Sequence, residues 1–470
     1  MPRAVLIAGT HSGCGKTSLT LGLLRALARR GLRVQPFKSG PDFIDPGLHQ
    51  AAAGAPSHNL DTWMQPHDAL RGLFARHARQ ADVVLVEGAM GLFDGRSGTD
   101  EEGSAAHLAK LLGLPALLVV DARSQARSVS ALALGFSRFD SDLRLAGLVL
   151  NRVGSARHET LLREALARTP GLPVLGCLAR AEAIGLPSRH LGLVTAEDIA
   201  NGMAGGMAGD ASGPERTLDR MLDALADWVE QGMDIPALLD SLPEIDLSGF
   251  PDDGAALAAV AGPPVRLAVA RDRAFCFCYA ENLRLLEAAG AELAFFSPLA
   301  DAALPEGAQG LYLPGGYPEL AARELAANAP MRAAVLEFCR SGRPVWAECG
   351  GYMYLLEELA DADGAAHPMC GALPGRAVLR EKRSALGYRQ ARTLADGPLG
   401  PAGTLLRGHE FHYSEYDGEL ASPAYALTAS DGTQTLDGQA AGNVVGGWFH
   451  AHLASNPQAA KAFVQAARNF

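Results

Sequence analysis

Cys349 is the residue whose neighbours are most typical of covalent chemistry. An apolar run ends at this cysteine, two glycines follow it, and Tyr352–Leu359 has helical character. A strand, a sharp turn and a helix in this order form a nucleophile elbow, in which Gly350 and Gly351 leave room for a strained turn. A helix N-terminus would also favour thiolate over thiol. Cys349 is therefore a candidate nucleophile, and a buried structural cysteine is the alternative.

A cysteine nucleophile needs a base, which is usually remote in sequence and adjacent in the fold. His450 follows a short aromatic segment near the end of the chain and is the first candidate. His452 would lie on the same face of a strand, so it remains an alternative base. Upstream, Gly315 and Gly316 follow a predicted strand and could present N–H groups to an oxyanion without obstruction by side chains.

A second kind of chemistry is indicated at the N-terminus. Ala4–Ala8 reads as a buried strand, Gly9–Thr17 is glycine-rich, and a helical pattern follows. Such a loop binds phosphate through converging N–H groups, the helix dipole and a lysine, while the final hydroxyl can ligate Mg²⁺. The spacing is one residue longer than the usual motif and resembles the variant loop of dethiobiotin synthetase and its relatives. The predicted nucleotide-binding residues of this loop are Gly9, Thr10, Gly13, Gly15, Lys16 and Thr17.

Polar residues follow three further predicted strands of this half. Lys38–Pro46 comes after the second strand, and within it Lys38 could face phosphate. Asp42 and Asp45 of the same loop could hold Mg²⁺ or orient a nucleophile. Glu87, at the tip of the third strand, suits a Mg²⁺ ligand or a water-orienting acid. Asn151 ends another strand and could read a base edge.

Strands and helices alternate through both halves of the chain, which predicts α/β architecture with doubly wound parallel sheets. A Gly-, Pro-, Asp- and Ala-rich stretch marks a boundary. We therefore predict an ATP-binding domain over residues 1–250, a linker over 251–264 and a second, smaller α/β domain over 265–470.

Composition restricts the classes of partner. The 470 residues carry a formal net charge of -11, which argues against a nucleic-acid partner. No apolar run approaches the length of a membrane span, and the N-terminus does not resemble a signal peptide. The 7 cysteines are an odd, scattered set, which indicates a reducing compartment rather than a disulfide framework. We expect a cytoplasmic location.

Taken together, the motifs resemble those of the cobyrinic/hydrogenobyrinic acid a,c-diamide synthases, which are ATP- and glutamine-dependent amidases of corrin-ring biosynthesis. The resemblance covers nearly the whole chain and rests on eight motifs in order. These are Gly9–Thr17, Lys38–Pro46, Asn59–Trp63, Glu87–Gly95, Pro314–Glu319, Trp346–Gly351, Gly408–Glu415 and Gly447–His452. It implies a dethiobiotin synthetase-like P-loop domain, followed by a class I-type glutamine amidotransferase domain.

The resemblance also implies roles for residues. Cys349 would attack the glutamine side-chain amide and His450 would activate it. Many class I amidotransferases have Glu two residues after this His, where the present chain has His452, so we expect a Cys–His dyad. Oxyanion donors would be N–H groups near Gly315, Gly316 and Gly350. Thr17, Asp45 and Glu87 would hold Mg²⁺, and the carboxylates of Asp42, Asp45 and Asp94 would lie in the substrate and acyl-phosphate loops.

The expected partners are ATP, L-glutamine and a corrinoid, either hydrogenobyrinic or cobyrinic acid. Two alternatives remain open at this point. One is a cobyric acid synthase or another tetrapyrrole amidase of the same build, and the other is a P-loop ATPase switch with a degenerate C-terminal domain. The sequence does not determine whether the ring carries cobalt, the order of the two amidations or the oligomeric state, for which a homodimer is one option.

Overall fold

The computed structural model describes residues 1–168, 172–180, 214–251, 259–361, 363–380 and 382–470. The chain divides into two compact units. Unit 1 comprises Met1–Trp63 and His67–Asp253, and unit 2 comprises Met64–Pro66 and Gly254–Phe470. Residues 252–258 of the predicted linker lie outside the described part of the chain. No helix among the described residues is long and apolar enough to cross a membrane.

Unit 1 is built on a parallel sheet whose described strands follow the order β3-β2-β4-β1-β5-β6-β7. These strands are β1 Arg3–Gly9, β2 Val34–Ser39, β3 His58–Leu60, β4 Val83–Glu87, β5 Ala116–Asp121, β6 Leu145–Val153 and β7 Val174–Ala179. The helices are α1 Lys16–Arg29, α2 Asp45–Ala53, α3 His67–Ala78, α4 Ala105–Leu112, α5 Ser128–Phe139, α6 Ala156–Leu166, α7 Pro214–Gly232 and α8 Ile235–Ser241. The neighbouring strands β1 and β4 connect onward to opposite sides of the sheet, and ligands bind at such a switch point in folds of this kind.

Alternation along β1 shows why helices cover both faces of this sheet. Leu6 belongs to one buried apolar cluster, with residues of α3 to α6, while Ile7 belongs to a second, with residues of α1 and α7. Successive side chains of a strand point to opposite faces, so a continuous apolar strand needs cover on both sides. The predicted doubly wound α/β fold is confirmed.

Unit 2 contains a mixed sheet in the order β20-β21-β11-β10-β8-β9, as far as the chain is described. Its strands are β8 Val265–Ala270, β9 Ala291–Phe296, β10 Gly310–Leu313, β11 Val345–Glu348, β20 Gln439–Ala441 and β21 Val444–Gly447. Only β20 pairs antiparallel among these strands. The helices are α9 Ala280–Ala288, α10 Ala322–Ala327, α11 Ala329–Arg340, α12 Gly350–Leu355 and α13 Pro457–Arg468, and short 3₁₀ turns cover Pro318–Leu320 and Leu453–Ser455.

Two further sheets of unit 2 are not foreseen by the sequence analysis. One has the order β13-β12-β14-β17 and the other β19-β18-β15-β16-β22. Their strands are β12 Glu358–Ala360, β13 Ala366–Pro368, β14 Arg376–Leu379, β15 Ala385–Thr393, β16 Leu405–His412, β17 Ser414–Asp417, β18 Tyr425–Ala429, β19 Gln434–Asp437 and β22 His450–Ala451. Most pairs are antiparallel. The expected helix over Tyr352–Leu359 is correspondingly wrong at its end, because the helix stops at Leu355 and β12 begins at Glu358.

Candidate active sites

Cys349 lies in a strained turn between β11 and α12. Its backbone has φ 43° and ψ -100°, a conformation that costs a non-glycine residue about 1–3 kcal/mol. The cysteine N–H donates to the carbonyl of Gly447 at 2.7 Å, which joins the turn to the end of β21. A Cβ atom on Gly351 would lie 2.1 Å from the carbonyl oxygen of Leu313, so the turn depends on a glycine there. This geometry is that of a nucleophile elbow.

His450 and the glycines after β10 lie close to this elbow. A Cβ atom on Gly315 would approach Cε1 of His450 to 2.2 Å, and one on Gly350 would lie 2.9 Å from the amide nitrogen of Gly316. Cys349 precedes Gly350 directly, so these contacts bring a thiol, an imidazole and backbone amides into one neighbourhood. Such a set can deprotonate a nucleophile and stabilise an oxyanion.

His452 has different surroundings from His450. Its Nε2 is 3.0 Å from the amide nitrogen of Gln65, and its ring centroid lies 4.8 Å from that of Tyr279. Gln65 belongs to the short segment that groups with unit 2. The side chain of His452 is thus engaged by packing and a side-chain amide, while that of His450 borders Gly315.

Burial determines the protonation states of Cys349 and His450. It raises the pKa of the Cys349 thiol well above its ordinary value, and the nearby Glu319 carboxyl adds to this effect. Burial lowers the pKa of His450 to about 3, with further contributions from His409 and His412. The expectation that the helix N-terminus favours a thiolate is therefore wrong for the resting protein. The backbone hydrogen bond from Gly350 at the start of this 6-residue helix lowers the pKa, but burial outweighs it.

The glycine-rich loop of unit 1 connects β1 to α1. Gly13 and Gly15 have φ of 79° and 102°, which are accessible to glycine at little cost. Lys16 is 7% exposed, and its ammonium contacts the carbonyl oxygens of His11 and Met90. Burial lowers the pKa of Lys16. Asn151 donates to the carbonyl oxygen of Cys14 at 2.8 Å, so this residue braces the loop from the end of β6.

A buried polar cluster surrounds Glu87 at the end of β4. One carboxylate oxygen accepts from the Thr17 hydroxyl at 2.6 Å and from the Lys38 ammonium at 3.0 Å. The other oxygen is 2.8 Å from Nε2 of His49. Burial by itself raises the pKa of Glu87, but Lys38 and His49 outweigh it and hold that pKa well below its usual range. The cluster therefore keeps a carboxylate ionised beside the phosphate loop.

The remaining predicted acids lie on neighbouring loops. Asp45 Oδ2 is 2.5 Å from the Lys38 ammonium, and Asp42 is 3.7 Å from it. Burial, and then the neighbouring Asp42, raises the pKa of Asp45 well above its usual value. Asp94 accepts from the N–H of Gly91 at 2.9 Å. Lys38 thus joins the loop after β2 to Glu87.

The donor atoms present suit a Mg²⁺ ion that arrives with nucleotide. The Thr17 hydroxyl and a Glu87 carboxylate oxygen already approach to 2.6 Å, and both are hard oxygen donors. The described residues contain no group of three His, Cys, Asp or Glu side chains arranged as a metal site. Mg²⁺ commonly uses one or two protein oxygens, with phosphates and waters completing its shell, so the set fits.

Some residues of these sites were not assigned roles from sequence. No sequence motif assigns a role to His49, yet it bonds directly to Glu87. Glu348, the residue before the cysteine, is also buried and hydrogen-bonded. Strand alternation places Glu348 on the face opposite Cys349, but no sequence pattern specifies its partners.

Comparisons with known proteins match both halves of the chain. A family described as the CobQ/CobB/MinD/ParA nucleotide binding domain matches residues 5–194, and the CobB/CobQ-like glutamine amidotransferase domain matches residues 266–458. The chain is 45% identical over 472 residues to a cobyrinate a,c-diamide synthase of Syntrophotalea carbinolica, with 99% of each chain covered. It is 44% identical to a hydrogenobyrinate a,c-diamide synthase of Agrobacterium fabrum, with 96% of this chain and 98% of that one covered.

The chain belongs to the cobyrinate/hydrogenobyrinate a,c-diamide synthase family. It is a glutamine-dependent ligase that forms amide bonds. The first matched domain is described as nucleotide-binding and contains the P-loop, and the second is described as a glutamine amidotransferase and contains the Cys349 elbow. The alternative of a P-loop switch with a degenerate C-terminal domain is wrong.

Proposed function

We propose that the chain amidates the a and c side-chain carboxylates of a corrinoid, using ATP and ammonia released from glutamine. The substrate is hydrogenobyrinic or cobyrinic acid, and the product belongs to cobalamin biosynthesis. The observation that carries the proposal is the strained Cys349 elbow, beside His450, on the same chain as a buried P-loop lysine. The relatives named for cobyrinate and for hydrogenobyrinate have similar sequence identities to this chain, so their names do not distinguish the two substrates.

The activation step would take place in unit 1. A carboxylate resists attack by ammonia because oxide is a poor leaving group. Transfer of the γ-phosphoryl group of ATP to a corrinoid carboxylate oxygen gives an acyl phosphate and ADP. Ammonia then attacks the acyl carbon, phosphate leaves, and the nitrogen loses a proton. Lys16 would neutralise charge on the transferring group. Lys38 forms ion pairs with Asp45 and Glu87, which supports their orientation.

Mg²⁺ would be held through Thr17 and Glu87, with Asp45 as a further candidate ligand. When bound, it supplies charge neutralisation at the nucleotide phosphates. His49 and Lys38 keep Glu87 ionised and oriented, which is the form a hard cation requires.

The ammonia would be produced in unit 2. His450 is neutral at physiological pH and can take the proton of the Cys349 thiol as the sulfur attacks the glutamine side-chain carbonyl. N–H groups near Gly315, Gly316 and Gly350 stabilise the resulting oxyanion. Collapse returns the proton to the leaving nitrogen, releases ammonia and leaves a γ-glutamyl thioester. Water, activated by His450, hydrolyses the thioester to glutamate and restores the thiol.

Mass spectrometry of the product tests this function. The protein is incubated with ATP, Mg²⁺ and glutamine, and is offered hydrogenobyrinic acid in one reaction and its cobalt form in the other. We expect two carboxylates of one substrate to become amides, at the a and c positions, with ATP hydrolysis. Amidation of other carboxylates would instead support another tetrapyrrole amidase. A lack of amidation with both corrinoids would contradict the proposal.

A further inference from the structure

Glu348 connects the strand that carries the nucleophile to the strand that carries the base. It is the last residue of β11, directly before Cys349, and is 2% exposed. Its Oε1 accepts from the N–H of Ala451 at 2.7 Å, and Ala451 directly follows His450. One side chain therefore spans from the residue before the cysteine to the residue after the histidine.

The second carboxyl oxygen of Glu348 is also hydrogen-bonded. The hydroxyl of Tyr312 donates to Oε2 at 2.7 Å, and the thiol of Cys278 lies 3.5 Å from that hydroxyl. The Tyr312 ring stacks on Trp346, with centroids 4.3 Å apart and planes inclined by 9°. Strand alternation places Trp346 and Glu348 on one face of β11. Because both carboxyl oxygens of Glu348 are hydrogen-bonded, the carboxyl group has little freedom to rotate.

The residues after His450 are held by a second buried side chain. Asn282 donates to the carbonyl oxygen of Ala451 at 2.8 Å and accepts from the N–H of Leu453 at 2.8 Å. The peptide groups on both sides of Ala451 are thereby hydrogen-bonded to buried side chains. Of these two side chains, only Glu348 lies on the strand that leads into Cys349.

We propose that Glu348 is a positioning residue for the glutaminase reaction, which sets the backbone of His450 relative to the Cys349 elbow. The inference rests on the proposed dyad of Cys349 and His450. In a Cys–His–Glu triad, a carboxylate orients the base by binding its imidazole. In this chain His452 stands two residues after His450, where such a Glu would be, and Glu348 orients His450 through the main chain.

A neutral side chain of the same shape should retain the function. Burial raises the pKa of Glu348 to about 8, against the opposing effect of its bonds to Tyr312 and Ala451. The carbonyl oxygen of a glutamine can still accept from the N–H of Ala451. A leucine leaves that N–H without an acceptor, and an aspartate is too short to reach Tyr312 and Ala451 together.

The test compares Glu348→Gln, Glu348→Leu and Glu348→Asp in the full-length protein, with glutamine and with added ammonium as nitrogen source. Displacement of a catalytic group by about 1 Å can cost about 10²-fold in rate. We expect Glu348→Leu and Glu348→Asp to lower the glutaminase kcat by about this factor, with little change in the KM for glutamine. Glu348→Gln should stay within a few-fold of the wild type.

Thr393→Val is the matched control for loss of a buried polar group. Thr393 is the last residue of β15 and is 8% exposed. Its hydroxyl donates to the carbonyl oxygen of Pro401 in the loop that follows. This variant should lower thermal stability and leave glutaminase kcat unchanged. Cooperative thermal unfolding of each Glu348 variant reports that unit 2 is folded, and ammonia-dependent synthesis, expected to be retained, reports that unit 1 is intact.

Wild-type kcat in Glu348→Asp, or in a folded Glu348→Leu variant, would overturn the inference. A loss in Glu348→Gln as large as that in Glu348→Leu would do so as well. Absence of glutaminase activity from the wild-type protein would instead contradict the proposed function, so the two failures are distinguishable.

Discussion

At the scale of single residues, the surroundings of Cys349 determine whether its side chain rests as a thiol or as a thiolate. Burial raises the pKa of the thiol, and burial lowers that of His450 to about 3. Both shifts favour the uncharged forms, so the resting pair is thiol and imidazole rather than thiolate and imidazolium. In the proposed mechanism, proton transfer therefore accompanies attack on glutamine, with His450 as the general base.

The pH dependence of alkylation at Cys349 tests this assignment. Because burial raises the pKa of the Cys349 thiol above the ordinary cysteine value of about 8.5, little thiolate is present at neutral pH, and we expect inactivation by iodoacetamide to be slow there. The rate constant should rise about 10-fold per pH unit toward alkaline pH. Loss of glutaminase activity and peptide mass spectrometry report the modification, with Cys349→Ser as the control for other cysteines. A rate constant that is high and constant between pH 5 and 8 would show an ion pair instead.

At the scale of elements, the sequence predicts the parts that bind ligands better than the parts that support them. The Gly9–Thr17 loop and the Cys349 elbow are recognisable because strained turns and phosphate cradles require particular residue types. Most of the strands from β12 to β19 have at most 5 residues, and their pairing depends on partners elsewhere in the chain, so no local pattern predicts them. The partners of Glu87 and Glu348 come from elements far apart in sequence, which single-chain patterns do not reveal.

The packing of α12 against β10 gives a prediction about stability. A Cβ atom on Gly351 would lie 2.1 Å from the backbone carbonyl oxygen of Leu313, which cannot move without distorting β10. Overpacking of this kind costs about 1–3 kcal/mol, and we expect Gly351→Ala to lower the free energy of unfolding by at least this amount. Gly397 has no heavy atom within 4 Å of its Cβ direction and provides the control. Equal stability of Gly351→Ala and Gly397→Ala in urea denaturation would contradict the prediction.

At the scale of the whole molecule, we propose that two chemistries are divided between two units of one chain. Unit 1 carries the P-loop, with Lys16 and the Glu87 cluster, and unit 2 carries Cys349 and His450. The proposed role of Cys349 does not require contact with the corrinoid, because its task is to release ammonia. Under this proposal, acyl activation and amide formation depend on unit 1 alone, whichever source supplies the nitrogen.

The most direct test is amide synthesis by Cys349→Ala with glutamine or with ammonium as the nitrogen donor. Loss of a covalent nucleophile is expected to lower glutamine-dependent synthesis by at least about 10³-fold. Synthesis with ammonium should stay within about 3-fold of the wild type, because ATP-dependent activation does not use the thiol. Lys16→Met, the reciprocal variant, should lose synthesis with both donors. Loss of ammonium-dependent synthesis in a folded Cys349→Ala variant, or retention of glutamine-dependent synthesis, would contradict the account.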